Sequence, residues 1–248
     1  MTGALALIAL GLPIGLLIGL IGIGGVLLTP ALVHIFGHDI HAAVSLSLAS
    51  FMLAGLIAAA RAFRRDAHLQ AGDWIFLSAI VPGALVGAFA APLIPAGPLS
   101  LLVSVCVAFA GISCLRKPAG SGGGLSEPGV LAGIGLVTGF LSAISGTGGP
   151  LICLPLLLWK NMDVRRALVV AQVAQLPVAG TATLVNGYSG SLDFAAAGML
   201  GAAIVAGMLA GIAVSRQIES GVLRTTVAWC LIIVGLALCF TDLWRLMA

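Results

Sequence analysis

Apolar runs separated by short polar ones make up most of the chain, at about 4–20, 26–36, 41–60, 73–92, 98–115, 129–145, 150–159, 166–185, 194–214 and 222–240. A helix of ~20 apolar residues crosses a ~30 Å hydrocarbon core, so most of these runs read as membrane spans. Two are too short. Run 26–36 would be ~16 Å long at ~1.5 Å per residue, and 150–159 shorter still, so each must stop partway, tilt or turn back. Both follow a glycine cluster, Gly22-Ile23-Gly24-Gly25 and Ser145-Gly146-Thr147-Gly148-Gly149-Pro150. Glycine costs roughly 1 kcal/mol per residue in a helix interior, so each cluster reads as a break. A break inside a membrane is tolerated only where protein or a water-filled cavity satisfies the freed backbone groups, which makes both breaks site candidates.

Sliding the chain by 124 residues, half its 248, superimposes the breaks and much else. Gly15 falls on Gly139, Gly22 on Gly146, Gly24 on Gly148, Gly25 on Gly149, Asp39 on Asp163 and Ala43 on Ala167. After a four-residue slip that pairs Asp73-Trp74 with Asp193-Phe194, the register returns with Gly83 on Gly207, Gly87 on Gly211, Cys106 on Cys230 and Gly111 on Gly235. Two membrane repeats follow, 1–115 and 129–248, joined by a polar linker, 116–128, that contains Gly120-Ser121-Gly122-Gly123-Gly124.

Composition fixes the solvent. The chain is 60% hydrophobic and 8% charged with a mean hydropathy of +1.21, far from the quarter charged of a soluble domain, and residues 74–115 hold no charged side chain. It reads as a multi-pass protein of the cell inner membrane, with no nucleic-acid partner. Charge then sets the topology. If each broken pair is a re-entrant hairpin followed by three crossings, Arg61, Arg64, Arg65, Arg116, Lys117, Lys160, Arg165, Arg166, Arg216 and Arg224 share one face and Arg245 stands alone on the other, ten against one. If the broken pair crosses once, the split is six against five. The first arrangement inverts the repeats, puts the linker in the cytoplasm and both termini outside. The expected fold is therefore an all-α polytopic membrane protein of two inverted repeats, each a broken helix pair plus three transmembrane helices. That is a recurrent plan of secondary transporters, which hold substrate near the midplane at the repeat interface. Helices restarting after a break turn their N-terminal N–H groups and positive dipole ends inward, which suits an anion.

The stretch Gly19 to Gly25 followed by Thr29-Pro30, then Ala43-Val44-Ser45-Leu46-Ser47-Leu48, then Asp73-Trp74, with a second copy in Gly139 to Pro155, resembles the sulfite exporter TauE/SafE family of membrane permeases. The resemblance covers essentially the whole chain and implies export or exchange of small sulfur-containing anions such as sulfite, sulfonates or sulfoacetate. Where the first copy has Ser45-Leu46-Ser47, the second has Val169-Val170-Ala171, with Gln172 and Gln175 beside the lost hydroxyls.

The substrate-binding candidates are accordingly Gly22, Gly24, Gly25, Ser45, Ser47, Ser145, Gly146, Thr147, Gly148, Gly149, Gln172 and Gln175. Gly11, Gly15, Gly19, Gly83 and Gly87, spaced by four, read as close helix packing, and Asp39 and Asp163 as caps of the helices after them. No Asp, Glu, Lys or Arg falls deep inside a predicted run, His34 lacks a counterpart in the second copy, and the five cysteines, without ligand spacing, read as small packing residues. No metal, cofactor or catalytic residue is expected. A proton or Na⁺ is the candidate coupling ion. An anion channel and a permease for another small organic anion are the alternatives. An intramembrane enzyme would need a nucleophile with its base or a metal cluster, and an accessory subunit would leave two buried breaks without a purpose.

The charge division makes a prediction. Single cysteines at Ser121 and at the C-terminus, probed with impermeant thiol reagents, should label from opposite sides of the membrane. Labelling from one side contradicts the inverted arrangement.

Overall fold

A computed structural model describes residues 2–21, 24–64, 69–115, 127–159, 162, 164–188, 190, 192–214 and 220–247. The described chain is helical: α1 (Thr2–Ile21), a 3₁₀ turn (Gly24–Leu27) leading into α2 (Leu28–His34), α3 (Ile40–Arg64), α4 (Ala71–Ala90), a 3₁₀ turn (Ala91–Leu93), α5 (Ala96–Leu115), α6 (Pro128–Ser145), α7 (Pro150–Trp159), α8 (Val164–Tyr188), α9 (Phe194–Val214) and α10 (Ser220–Met247). Among these are six spans, in α3, α4, α5, α6, α8 and α9, long and apolar enough to cross a membrane. Large apolar side chains such as Val86, Phe89, Ile233 and Phe240 are exposed, as a lipid-facing surface requires. Most expected runs lie within about three residues of a helix; α10 is the exception, continuing to Met247 past the expected end at 240.

Glycine decides which helices touch. A Cβ at Gly15 would meet the Ile204 carbonyl, one at Gly19 the Met208 carbonyl, one at Gly83 the Leu136 carbonyl and one at Gly139 the Ile80 carbonyl, so these glycines let backbones approach where a side chain would not fit. The facing residues rise together along α1 and α9 (Gly11 on Leu200, Gly15 on Ile204, Gly19 on Met208) and along α4 and α6 (Gly83 on Leu136, Gly87 on Phe140), so both pairs are parallel. On α5 and α10 they run oppositely: Gly111 meets Ala228 and Ile232, Ala108 meets Gly235, and Ser104 bonds Asp242. Exchanging the chain halves maps the α1–α9 pair onto α6–α4 and the α5–α10 pair onto itself.

Side chains at the ends define two faces. Near one, the start of α3, the end of α4, Ala143 near the central end of α6 and Asn186 near the end of α8 surround one cavity, while the end of α2, the start of α5 and Asp242 of α10 border another. The start of α1 and the end of α10 belong to this terminal face. At the opposite, linker face, Asp73 of α4 meets Arg166 of α8. Within the first copy α2 runs back along α3: Gly25 lies on Phe51, Thr29 on Ser47, and Val33 beside Ile40. α1 and α2 thus form a hairpin that leaves and regains the terminal face, and 26–36 turns back.

Local chemistry sets the ends. Asp39 accepts hydrogen bonds from the His41 and Ala42 N–H groups, capping α3 as expected, whereas Asp163 lies outside the described residues. Asp73 and Gln70 form a capping box on α4. Pro128 opens α6 at a position where its missing N–H costs nothing, and Gly146 closes it in a left-handed conformation. Of the cysteines, Cys153 is buried, but Cys230 is exposed on α10, so the packing role expected of all five does not extend to it.

Gly139 and Gly133 lie on the same helix in opposite circumstances: a Cβ at Gly139 would be 2.7 Å from the Ala84 nitrogen, while one at Gly133 meets nothing within 4 Å. Gly139→Ala should destabilise the protein by about 1–3 kcal/mol through overpacking. Gly133→Ala should be neutral or stabilising by up to about 1 kcal/mol. Thermal unfolding in detergent checks this; equal shifts would contradict the packing assignment.

Candidate functional site

The two breaks meet at the centre of the molecule, held by α3 and α8. Phe51 and Gln175 are each the twelfth residue of a 25-residue helix, and the offset of 124 superimposes them. Counted from opposite faces, both lie ~17 Å in, at mid-depth. The Phe51 ring lies between the breaks: a Cβ at Gly25 would be 2.9 Å from its Cζ, and one at Gly148 2.9 Å from its Cδ2. That Gly148 Cβ would also be 3.3 Å from Gln175 Nε2, and Gly149 packs against the Gln175 and Ala174 backbone.

The second break is an unwound turn that only glycine adopts readily. Gly146 (φ +70°), Gly148 (φ +75°) and Gly149 (φ +107°) all lie in the left-handed region. Gly149 accepts hydrogen bonds from the Ile152 and Cys153 N–H groups, so it acts as the N-cap of α7. The N–H groups of Thr147, Gly148 and Gly149 donate to no described residue. Ser145 donates to the Leu141 carbonyl and shares a 2.9 Å hydrogen bond with Thr147. One and two turns earlier on α6, the Ser142 and Thr138 hydroxyls are buried without a hydrogen-bond partner among the described residues.

The first break is built differently. Gly22 lies outside the described residues, and Gly24 and Gly25 belong to a 3₁₀ turn that runs straight into α2, with no positive φ at Gly25. The unwound turn expected there does not extend to Gly25. A 3₁₀ turn uses i→i+3 hydrogen bonds and needs no left-handed residue. The breaks are stitched together by Thr29, whose hydroxyl lies 3.1 Å from Ser47 Oγ and 3.4 Å from the Gly146 carbonyl.

Of the remaining candidates, Ser45 borders a cavity of about 310 Å³ on the terminal face, together with His41, Val44, Ala91, Ala143 and Asn186. Val44 also packs against Gly146, which puts the cavity beside the second break. Gln175 is 4% exposed and its amide bonds to no described residue, whereas Gln172 is half-buried and makes none of these contacts. The structure thus gathers Gly25, Ser47, Gly146, Gly148, Gly149 and Gln175, places Ser45 at the approach, and leaves Gln172 apart. Ser50, a hydroxyl on the same helix, donates back to the Leu46 carbonyl, as a packing role predicts.

On the linker face Arg166 grips Asp73, with Nη2 at 2.8 Å from both carboxylate oxygens and Nε at 3.2 Å from Oδ2, tying α8 to α4. The offset of 124 places Ala42, a cavity residue, opposite Arg166, and the four-residue slip places Asp193 opposite Asp73; Asp193 caps Ala195 and Ala196 instead. The terminal face therefore has space where the linker face has an ion pair.

A family profile described as sulfite exporter TauE/SafE matches residues 7–238. The chain belongs to that family. Comparisons with curated proteins and with solved structures return no significant match. TauE/SafE membership makes this a membrane transporter of sulfite or related anions, and the central glycine turn belongs to a permease.

Sequence reading missed Phe51, Thr29 and the Arg166–Asp73 pair. The offset that pairs Phe51 with Gln175 was a usable signal for the first. Asp242 lies past the expected run 222–240, yet it is 4% exposed within α10, where Ser104 donates to it at 2.6 Å and His34 lies 3.7 Å away.

Proposed function

We propose that this TauE/SafE protein is a secondary transporter, an exporter or exchanger, of a small sulfur-containing anion such as sulfite or a sulfonate, working by alternating access between two inverted repeats. The observation that carries the reading is the meeting of both breaks at mid-depth beside the Gln175 amide and the N–H groups of Thr147, Gly148 and Gly149, which bond to no described residue. Successive N–H groups around left-handed residues form a concavity suited to an anion, and the positive end of α7 adds about half an elementary charge. Ser142 and Thr138 offer further unspent donors one and two turns away.

Inversion is supported by α5 and α10, equivalent helices that pack antiparallel, as a two-fold axis in the membrane plane requires. An axis along the membrane normal would leave them parallel. With the basic residues inside, the terminal face with its cavity is outside and the linker face is cytoplasmic. One side open and the other tied by Arg166 and Asp73 favours a carrier over a channel, whose pathway would be continuous. In the opposite state the pair would part, and the cavity around Ser45 and Ala42 would close.

Gln175 then contributes to selectivity through an amide aimed at the turn. A hydrogen bond to a charged group is worth about 1.5–3 kcal/mol, or about tenfold or more in affinity. In proteoliposomes loaded with one anion and challenged with a panel of sulfite, sulfonates and carboxylates, Gln175→Ala should weaken the preferred anion about tenfold and reorder the panel, with Gln172→Ala doing less. Preference for cations or neutral solutes by the wild type, or an unchanged ranking in Gln175→Ala, would contradict the reading.

A further inference from the structure

We propose that Asp242, His34 and Ser104 form a proton-binding site that couples proton movement to the anion site through α2; the proposal rests on the transport reading above. Asp242 lies on α10 with its side chain 3% exposed. Oδ2 accepts a 2.6 Å hydrogen bond from Ser104 of α5, while Oδ1 faces His34 Nε2 at 3.7 Å, beyond hydrogen-bond distance. The carboxylate is thus buried with one oxygen hydrogen-bonded and the other facing an imidazole.

The offset of 124 sets Leu158 opposite His34 and Ala228 opposite Ser104, so the repeat carries these polar groups in the first copy only. Water has a route: Asp242 borders a second cavity, about 260 Å³, on the terminal face with Val33, His38, Asp39 and Ser100. The connection to the anion site is covalent. His34 ends α2, and α2 begins at the 3₁₀ turn whose Gly25 lies on Phe51, ~14 Å away along the helix. A proton bound at this site would change the charge at that end of α2, and any shift of α2 is felt at Thr29, which bonds both Ser47 and Gly146.

Other titratable groups on the surrounding elements are Cys106 of α5, Cys153 of α7, Cys239 of α10, and His38, Asp39 and His41 at the α2–α3 connection; Arg245 follows Asp242 on α10. Asp39 is engaged with the α3 N–H groups, and the thiols carry no charge when protonated. Two titratable groups and a hydroxyl are few for a divalent cation, which takes four or more ligands, so a proton is the ion that fits.

The test uses the full chain in proteoliposomes containing a pH-sensitive dye, with an organic sulfonate added outside. Wild type should show a sulfonate-evoked internal pH change together with sulfonate flux. Asp242→Asn, which keeps the size and the Ser104 contact, and His34→Gln should reduce the proton movement per sulfonate at least tenfold and flatten the pH dependence of the remaining flux. Sulfonate flux without proton movement in wild type, undiminished coupling in both variants, or coupling that follows Na⁺ instead would overturn the site. Absence of any anion flux in wild type would overturn the transport reading, and this proposal with it. Should a variant not transport, proton uptake or release on adding sulfonate to the folded protein in lightly buffered detergent decides: loss in the variants supports the site, equal exchange in wild type and both variants overturns it.

Discussion

Backbone opened inside hydrocarbon has to be satisfied by something other than lipid, and the rest of this molecule follows from that requirement. Two glycine breaks would be ruinous at the lipid surface, so both are drawn to the centre, between two 25-residue helices that shield them. Shielding needs close approach. Glycines at Gly15, Gly19, Gly83 and Gly139 bring α1 onto α9 and α4 onto α6 at backbone contact, which confines the breaks without large side chains. Phe51 then fills the space between them and Thr29 bonds across it. The backbone groups left over, at Thr147, Gly148 and Gly149, are donors in a protected place.

The two copies share this frame and differ at the positions where chemistry is done. Gln175 stands where the first copy has Phe51, Arg166 where it has Ala42, and Leu158 and Ala228 where it has His34 and Ser104. Each difference removes a symmetry that a transporter has reason to break. An amide facing an aromatic ring gives the centre a polar and an apolar side. The Arg166–Asp73 pair has no counterpart at Ala42 and Asp193, so the two faces are unequal at these positions. The proton site proposed above would act on one half only. Repetition supplies the fold, and its exceptions supply the function.

Most helix positions were legible because hydropathy and the offset of 124 report directly on burial in lipid and on a repeated chain path. The breaks were legible because dense glycine has few other causes. What was not legible depended on a particular face finding a particular partner. Asp242 looked like the end of the last run, since mean hydropathy falls there, yet the helix continues and buries the carboxylate against Ser104. Phe51 looked like any aromatic in an apolar helix, and its place between the breaks follows from tertiary contacts alone. The first break was read as a copy of the second, but its described part, Gly24–Leu27, is a 3₁₀ turn with no left-handed residue at Gly25. Gln172 and Gln175 were indistinguishable in the sequence; three residues along α8 separate an amide at the glycine turn from one that makes none of its contacts.

The central claim, an anion held where the breaks meet and reached through the cavity on the terminal face, is tested most directly at Ser45, which borders that cavity. In a cysteine-free background, Ser45→Cys would be labelled with an impermeant thiol reagent applied to the terminal face of sealed vesicles. The account predicts that labelling falls progressively as an organic sulfonate is added, and that choline leaves it unchanged. Labelling indifferent to every anion tried, or equal protection by choline, would contradict it.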